Sequence, residues 1–529
     1  MYVYNETVKN KWMNKWKIHV ESTTPEVENK LITHVESATD RLDNANVRGD
    51  SGSSLNISNY SIRDHKVTKQ DSSPPRPKVW IRRRSQTYHA VEKRAFEYCG
   101  YDVITTMDDQ AKNWHSVWGL YQAIFPAMNN YLKTSMAPHQ RVNHIPGTPT
   151  ILGKSSLAIA NITNTPPAFQ LPSDYNKFTR FKASHPDWLW VKKNAKHRGV
   201  SIVSRPELIT SKTPSFIQRY IDKPFLIDGH RFDIGIYTAI TSLNPLRLYV
   251  FNDWHLRFCP EKYHPFDPKN RRKYVVESDS YLGPWDIRSI NAYFTGHDVT
   301  RKTAFLQVLK DKGVDTVKLE NELNDSIRKI YLNKENEFVK EYFSQYQYPR
   351  NFYELVRVDF LLDEDANIHL MEVNSSPAMV PGKHKLHVSM YEQITFSQLN
   401  LVGVCNPTSR DSLHLTNEPR DMQVSSKNIG VHPDKCSQSS CIKSCHEIEC
   451  KLCKQCLSKD KQLILKQAFT EHEQRHGFSR IFPLPFSSQT SAQQWHHSTD
   501  ETFNSLNSSN KWMSLWFHGK CLQDIRWCS

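Results

Sequence analysis

The chain has 529 residues, 38% of them hydrophobic, and its 69 lysines and arginines against 55 aspartates and glutamates give a formal charge of +14. This length predicts about three folded units. The positive charge favours an acidic partner, such as nucleic acid, an anionic membrane surface or an acidic protein tail. No apolar run approaches the roughly 20 residues of a membrane helix, and Met1–Val20 lacks a signal-peptide pattern. We therefore expect a soluble, intracellular protein without a membrane segment.

The N-terminal part divides into an arm and a folded unit. Residues 1–75 are rich in Ser, Asn, Thr, Asp and Lys with little periodicity, which predicts a disordered arm. A strand pattern follows at Lys78–Ile81, then helical spacing in Ala90–Tyr98 and a second strand pattern in Tyr101–Ile104. This succession indicates an N-terminal α/β subdomain, which we place at residues 76–150.

The middle of the chain is dominated by strand patterns. A helix is expected to begin near Lys154, and five strands are predicted after it: Trp188–Lys192, Val200–Val203, Phe216–Tyr220, Arg231–Thr241 and Leu246–Phe251. In the fourth of these, Phe232, Ile234 and Ile236 alternate with more polar positions, so the strand has two distinct faces. We assign residues 151–280 to a central subdomain.

A third unit is predicted at residues 281–403. Lys302–Leu309 and Leu319–Phe338 have helical spacing, and Glu354–Asp363 and Ile368–Val373 form a strand pair around a short acidic turn. Beyond this unit the composition becomes polar. We expect a linker at 404–435, a cysteine-rich segment at 436–480 and a flexible tail at 481–529.

The strand pair carries a candidate metal site. Asp359 lies on its first strand and Glu372 on its second, and Asn374 shares a face with Glu372 because strand side chains repeat every second residue. Oxygen donors of this kind suit Mg²⁺. The alternative is an ordinary hairpin, but an unpaired carboxylate inside an apolar strand is costly. For the carboxylates of the turn itself the ordinary hairpin is the better interpretation.

Two upstream segments suggest a nucleotide site. Lys192 rises from a strand, and the nearby Arg198-Gly199 offers positive charge and a close backbone approach, as a phosphate site requires. A basic surface turn is the alternative. Residues 218–224 combine a strand with a proline, in the manner of a hinge whose backbone contacts an adenine, although a plain strand and turn explains this pattern equally well.

Taken together, these segments resemble the tubulin–tyrosine ligase-like family over roughly residues 78–400, and the chain looks like a divergent, polyglutamylase-type member. The resemblance rests on several motifs in the family's order: Asn143-His144-Ile145-Pro146-Gly147, Lys154 with Leu157, Phe169-Gln170-Leu171-Pro172, Trp190-Val191-Lys192, His197 to Ile202, Gln218 to Pro224, Asp228 to Asp233, Pro245-Leu246-Arg247, Leu256-Arg257-Phe258 and the metal segment. It implies an α/β (α+β) ATP-grasp fold with N-terminal, central and C-terminal subdomains.

The resemblance also implies a role for individual residues. The positions that match nucleotide-binding residues of the family are Lys154, Lys192, Arg198, Gly199, Gln218, Tyr220, Ile221, Arg231 and Asp233. Asp359, Glu372 and Asn374 match metal ligands, and Arg231, Arg257 and Glu372 match catalytic positions. The implied cofactors are ATP and Mg²⁺.

The implied reaction is a carboxylate–amine ligation on tubulin. A glutamate carboxylate of the protein substrate is activated by ATP as an acyl phosphate, and the amine of a free amino acid, expected to be glutamate, then forms the C–N bond. Polyglutamylation is the leading expectation, with glycylation and tyrosination as alternatives. The acidic tubulin tails suit the +14 charge, and the expected location is the cytoplasm and the cytoskeleton.

Three positions depart from the family pattern. Gly235 stands where an arginine is usual, Lys273 to Ser278 replaces a His-Leu-Thr-Asn segment, and Arg357 stands where glycine is common. Because Arg357 and Asp359 share a strand face, we hypothesise that Arg357 supplies the charge missing at Gly235. The departures leave a second function open, namely a non-catalytic member that binds ATP or microtubules.

The cysteine-rich segment poses a separate question. Six cysteines lie between Cys436 and Cys456, and Cys450, Cys453 and Cys456 have the two-residue spacing of zinc ligands. Structural Zn²⁺, disulfides and unpaired thiols all remain open, and a disulfide framework for the whole chain is not expected. Asn56-Ile57-Ser58 and Asn161-Ile162-Thr163 are glycosylation sequons that would suit a secreted protein, but such triplets are common by chance. Asn374-Ser375-Ser376 is also a sequon and falls on a proposed metal ligand, which argues against glycosylation of them all. Repeated aromatic–basic interleaving is absent, so no nucleic-acid partner is expected.

Overall fold

The structure is a computed structural model of the chain. It describes residues 76–82, 89–105, 114–160, 162–193, 200–203, 215–276, 280–294, 299–380, 385–405 and 424–529. The predicted disordered arm, residues 1–75, lies outside these ranges. The described residues form a mixed α/β protein with three sheets, in agreement with the predicted fold class.

A small parallel sheet forms the N-terminal part. Its strands are β1 (Lys78–Ile81), β2 (Asp102–Ile104), β3 (Ser116–Trp118) and β4 (Arg141–Val142), in the order β2-β1-β3-β4. Parallel neighbours need a crossover connection, and helix α1 (Ala90–Tyr98) provides it between β1 and β2. The predicted strand, helix and strand at this end of the chain are confirmed. Helices α2 (Tyr121–Thr134), α3 (Thr148–Ile151) and α4 (Lys154–Ile159) follow.

The second sheet is antiparallel. It contains β5 (Ala168–Leu171), β6 (Trp190–Lys193), β7 (Val200–Val203) and β8 (Ser215–Arg219), in the order β5-β8-β6-β7. Helix α5 (Tyr175–Ala183) packs against it, since Phe178 meets Phe169 and Trp190 in one buried cluster. The three strand patterns predicted between residues 188 and 220 are confirmed within two residues.

The largest sheet has five antiparallel strands. They are β9 (Phe232–Leu243), β10 (Leu246–Phe258), β11 (Glu354–Leu362), β12 (Ile368–Asn374) and β13 (Phe478–Phe482), in the order β12-β11-β9-β10-β13. Strands from both predicted subdomains, 151–280 and 281–403, therefore share one sheet. The predicted boundary near residue 280 does not separate two sheets.

The two faces of β9 and β11 enter different parts of the core. Ile234, Ile236 and Val358 pack on the face covered by helices α6 (Arg288–Phe294), α7 (Arg301–Asp311) and α8 (Thr316–Glu337). On the opposite face, Tyr237 and Leu355 pack beneath helix α9 (Lys385–Leu401) and the parallel sheet. Further along this second face the side chains become polar. The same strand face therefore packs in the core at one end and lines the candidate site at the other.

The acidic turn between β11 and β12 is a structural element. Asp363 accepts hydrogen bonds from the backbone amides of Asp365 and Asn367 at 3.2 and 2.9 Å, and from the side chain of His369 at 2.9 Å. Ala366 between them has a φ of 62°, a left-handed conformation that the bonds around it hold in place. The expectation that the turn carboxylates serve the hairpin agrees with this geometry for Asp363.

The C-terminal region, residues 424–529, corrects the sequence-based expectation of a flexible tail at 481–529, while residues 406–423 of the predicted linker lie outside the described residues. It contains helices α10 (Pro433–Cys436), α11 (Ser439–Lys443), α12 (Lys459–Glu473), α13 (Gln489–Gln494), α14 (Glu501–Ser505) and α15 (Ser508–Gln523). Trp512, Met513, Trp516 and Phe517 form its core together with Val424, Ile429 and Val431. The polar composition was misleading because helical spacing gathers these few large side chains onto one buried surface.

The C-terminal region joins the large sheet through hydrogen bonds and one buried ion pair. Strand β13 pairs with β10, placing Phe482 opposite Leu248. From helix α12, Glu471 accepts two hydrogen bonds from Arg247, at 2.7 and 3.0 Å, and one from Thr241 at 2.8 Å. The Arg247 and Glu471 side chains are 0% and 1% exposed, so this pair is a desolvated contact between the region and the sheet.

Candidate functional site

The predicted metal residues meet in one row across the large sheet. Asp359 on β11 lies opposite Glu372 on β12 and, on its other side, opposite Gly235 on β9. Gly235 in turn lies opposite His255 on β10. Residues directly opposite each other in a sheet have neighbouring side chains, so four strands contribute to a single surface.

Asp359 is the most heavily contacted carboxylate of this row. Arg357 donates to both of its oxygens, from Nε at 2.6 Å and from Nη2 at 2.8 Å. Arg257 donates to Oδ2 at 3.2 Å and Asn374 at 2.9 Å. The Asp359 side chain is 3% exposed, and a buried carboxylate of this kind is stable only with such partners.

The donor set has the chemistry of a hard-cation site. The Asn374 amide donates to Asp359 at 2.9 Å and to Glu372 at 3.1 Å, which brings three oxygen-bearing side chains together. Oxygen ligands fit Mg²⁺, which binds through one or two carboxylates and substrate phosphates. No group of three or more His, Cys, Asp or Glu residues is placed to hold a metal within the described residues. The metal site, with two carboxylates and one amide as its ligands, therefore stays a prediction.

Gly235 leaves room that a neighbouring side chain occupies. A Cβ atom at this position would lie 2.9 Å from Cδ of Arg357, 3.1 Å from Oδ1 of Asp359 and 3.1 Å from the carbonyl oxygen of His255. Cδ of Arg357 would have to move and the two oxygens to give by a few tenths of an ångström, so Gly235 leaves the space beside Asp359 that Arg357 occupies. The hypothesis that Arg357 brings charge to the Gly235 position agrees with this arrangement, and its effect on turnover stays a prediction.

Arg257 links two acidic residues. It lies opposite Asp233 in the β9–β10 pair, and its Nη2 atom is 3.5 Å from Asp233 and 3.2 Å from Asp359. Burial raises the pKa of Asp233, while Arg257 and Arg231 act to lower it. The result is an alternating chain of two carboxylates and two guanidiniums that contains Arg257 and Arg357.

Arg231 and Tyr220 lie in a tyrosine cluster beside this network. Arg231 donates to the Tyr220 hydroxyl at 3.2 Å and to the carbonyl of Tyr274 at 2.8 Å, and the Tyr220 and Tyr263 hydroxyls are 3.0 Å apart. Tyr274 belongs to the segment that departs from the family pattern, so the described part of this segment contacts Arg231. Tyr220 and Ile221 are 4% and 3% exposed, and the predicted adenine contact stays a prediction.

A cleft lies between the second sheet and the large sheet. It is narrow and open to solvent, with about 10 Å³ of space for a water-sized molecule. Its lining residues are Leu157, Ala158, Thr165, Phe216, Gln218, Leu370, Met371 and Glu372. The predicted hinge residue Gln218 and the predicted metal ligand Glu372 therefore line the same cleft.

The remaining predicted residues differ in how far the structure places them. Lys192 is half-buried on β6, opposite Ile217 of β8. Lys154 is the first residue of α4, next to the cleft residues of that helix, and its side chain is not described. Arg198 and Gly199 lie outside the described residues.

Sequence reasoning missed a set of rings next to the arginines. His255 lies 3.4 Å from the Tyr281 hydroxyl, which is 3.0 Å from Nδ1 of His387. Burial, together with Arg357 and Arg257, lowers the pKa of His255 well below its usual range. A neutral imidazole therefore borders the site. The available signal was the spacing of His255 and Arg257, which share a strand face.

A known protein family and several known proteins are similar to this chain. The family model described as "Tubulin-tyrosine ligase family" matches residues 132–413, more than half of the chain. The probable tubulin polyglutamylase ttll-15 of Caenorhabditis elegans is 33% identical over 448 residues, which are 82% of this chain and 83% of the relative. Human tubulin monoglutamylase TTLL4 is 26% identical over 417 residues, which are 71% of this chain and 33% of the relative. The chain thus spans most of the nematode protein and a third of the human one.

Proposed function

Because the chain belongs to the tubulin-tyrosine ligase family, we propose that it is an ATP- and Mg²⁺-dependent ligase that couples an amino acid to glutamate side chains of an acidic protein tail. The names of its relatives indicate tubulin as the acceptor and glutamate as the amino acid. The observation that carries the proposal is the row of Asp359, Glu372 and Asn374 beside Arg257 at a cleft lined by Gln218.

The acidic and basic residues at the site have different roles. Glu372, Asn374 and Asp359 would hold Mg²⁺ through oxygen atoms. When bound, ATP supplies the phosphate that activates the acceptor carboxylate as an acyl phosphate, and Mg²⁺ neutralises the phosphate charge. Lys154 and Lys192 would add fixed positive charge near the phosphates.

The arginines have a different part. Arg257, whose side chain is 12% exposed, would pair with the carboxylates and phosphates that meet during transfer, because a guanidinium stabilises charge as it develops. Arg231 would support it from the tyrosine cluster. The net charge of +14 would draw an acidic tail toward the site.

The test is incorporation of a labelled amino acid. Microtubules are incubated with the full chain, Mg-ATP and labelled glutamate, glycine or tyrosine, and the label on tubulin is counted. We expect glutamate to be incorporated and Glu372→Gln to lower the rate by about 100-fold or more, since it removes a charged ligand. Glu364→Gln is the matched control, because that carboxylate lies on the same hairpin, is 53% exposed and pairs with the exposed Lys223.

The second candidate is a non-catalytic member that binds ATP or microtubules. It is favoured by the engagement of both Asp359 oxygens by Arg357, which leaves fewer lone pairs for a metal. The same assay separates the two candidates. No incorporation with any of the three amino acids, together with intact co-sedimentation on microtubules, would favour the binding protein.

A further inference from the structure

Ten of the eleven cysteines form disulfide bonds, and all eleven lie within the described residues. The bonds are Cys99–Cys405, Cys436–Cys453, Cys441–Cys450, Cys445–Cys456 and Cys521–Cys528. The expectation that no disulfide framework spans the chain is wrong. The zinc interpretation of the cysteine segment is wrong as well, because each of its six sulfurs is bonded to one partner and no thiolate is left to bind a metal.

The first bond ties together distant parts of the folded unit. Cys99 follows helix α1 and Cys405 follows helix α9, with 306 residues of separation. The two ends are packed as well as bonded, since the Tyr101 hydroxyl donates to the carbonyl of Val404 at 3.1 Å. A bond that closes so long a loop constrains the unfolded chain strongly. The framework therefore includes the part of the chain that carries the candidate site.

The bonded cysteines of the cysteine segment form a buried cluster of their own. This cluster consists of Cys441, Cys450 and Cys453, with Cys436 and Cys456 packed against it, and contains no other residue type. Segments too small to bury a hydrophobic core are commonly held by several disulfides. The third bond of the segment includes Cys445, which is exposed, so soluble thiols in a reducing compartment could reach it.

The remaining thiol is placed where oxidation is unfavourable. Cys259 follows strand β10, is 0% exposed and is unpaired. Burial raises the pKa of this thiol to about 12, and thiolate is the reactive form. The chain thus pairs every cysteine except one that is shielded, a distribution that suits folding in the presence of oxidants.

We propose that this chain folds and acts in an oxidising compartment of the secretory route, held by its five disulfides. Disulfides form and persist in such compartments and are rare in the cytosol, where glutathione keeps thiols reduced. The proposal replaces the expected cytoplasmic and cytoskeletal location. It does not require ligase activity, because it rests on the pairing and burial of the cysteines alone.

The proposed location also constrains the acceptor protein, an inference that rests on the proposed function. A ligase in this compartment meets proteins that enter it, so its acceptor there is an acidic protein segment exposed in the same lumen. The chemistry required of that segment is a run of glutamate side chains, which matches the arginines at the site and the charge of +14. Microtubules then serve in the assay above as an acidic acceptor that reports the chemistry.

The test counts thiols inside cells. The full chain is produced in a eukaryotic cell line with an added cleavable secretory leader and, separately, in the reducing cytosol of bacteria. A membrane-permeant maleimide is added before lysis, the purified chain is denatured with more maleimide, and its intact mass is measured. We expect one adduct on the lumenal chain and none on its Cys259→Ala variant. The cytosolic chain should carry about ten more adducts and be cleaved faster by protease.

Two results would overturn the proposal. One is several adducts on the lumenal chain, which would show that the bonds do not form. The other is a cytosolic chain with reduced cysteines that matches the lumenal chain in protease resistance. Label transfer from glutamate to a synthetic glutamate-rich peptide is measured on the same lumenal sample. One adduct without transfer would leave the disulfide proposal standing and count against the ligase.

Discussion

The large sheet and the C-terminal region form their hydrophobic cores in different ways. Strands β9 and β11 alternate apolar side chains over nine residues or more, and each face packs against its own layer. The C-terminal region has short helices, a few large aromatic residues and four of the five disulfides. In long periodic elements, the sequence pattern itself shows which side chains will be buried. In short cross-linked elements, burial depends on contacts between residues that are distant in the sequence.

The comparison also shows how the two regions depend on each other. The described residues from 76 onward belong to one compact unit, and β13 forms one edge of the large sheet. Asn510 of helix α15 accepts from the backbone amide of Leu246 and donates to Glu335. The C-terminal region is therefore part of the fold that positions the site, and variants in either region can test this dependence.

The largest effect is expected at the ion pair between the regions. Glu471→Ala leaves Arg247 buried without its partner, and breaking a buried pair from one side costs about 3–5 kcal/mol. The free energy of unfolding, measured by denaturant titration, should fall by that amount. Glu473→Ala on the same helix is exposed and should change it by less than about 0.5 kcal/mol. Equal losses in the two variants would show that the regions are not joined by this pair.

The next effect concerns the site. Arg357→Ala removes the fork on Asp359 and should lower kcat by about 100-fold, with unchanged affinity for ATP, because the charge acts during transfer. Arg357→Lys should recover part of the rate. Gly235→Ala should lower kcat in the same direction, since its Cβ would meet Arg357 at 2.9 Å.

A second glycine serves as the control that distinguishes steric crowding at the site from a general effect of replacing glycine with alanine. Gly430→Ala in the C-terminal region meets its first neighbour at 3.6 Å and should leave kcat unchanged. Unchanged turnover in Arg357→Ala would reject the compensation hypothesis, whatever the glycine variants do.

The smallest effect is a pH dependence in the C-terminal region. Burial, with Arg475 and Arg480 beside it, lowers the pKa of His472 to about 2. Below its unfolded pKa of about 6.5, only the unfolded chain binds this proton, so stability falls by about 1.4 kcal/mol per pH unit. Between pH 7.5 and 5.5, His472→Gln should therefore lose about 1.4 kcal/mol less than the parent chain. His496→Gln, at an exposed position, should lose as much as the parent.

Much of the fold and the site could be predicted from local patterns. The hairpin that carries Asp359 and Glu372 was predicted because alternation and a turn are properties of consecutive residues. The helices at 301–311 and 316–337 were predicted for the same reason. The ring set around His387 was missed because its members come from strand β10, residue 281 and helix α9, and no local pattern connects them.

The sequence by itself determined nine of the thirteen strands of the described residues, helices α1, α7 and α8, and which residues share a face with Asp359. It also determined the charge that favours an acidic acceptor. Only the tertiary structure decided that Arg357 fills the space at Gly235, that ten cysteines pair as they do and that residues 424–529 are folded. The reason is physical: side-chain direction repeats along one strand or helix, while ion pairs, disulfides and sheet edges depend on distances between residues far apart in the chain.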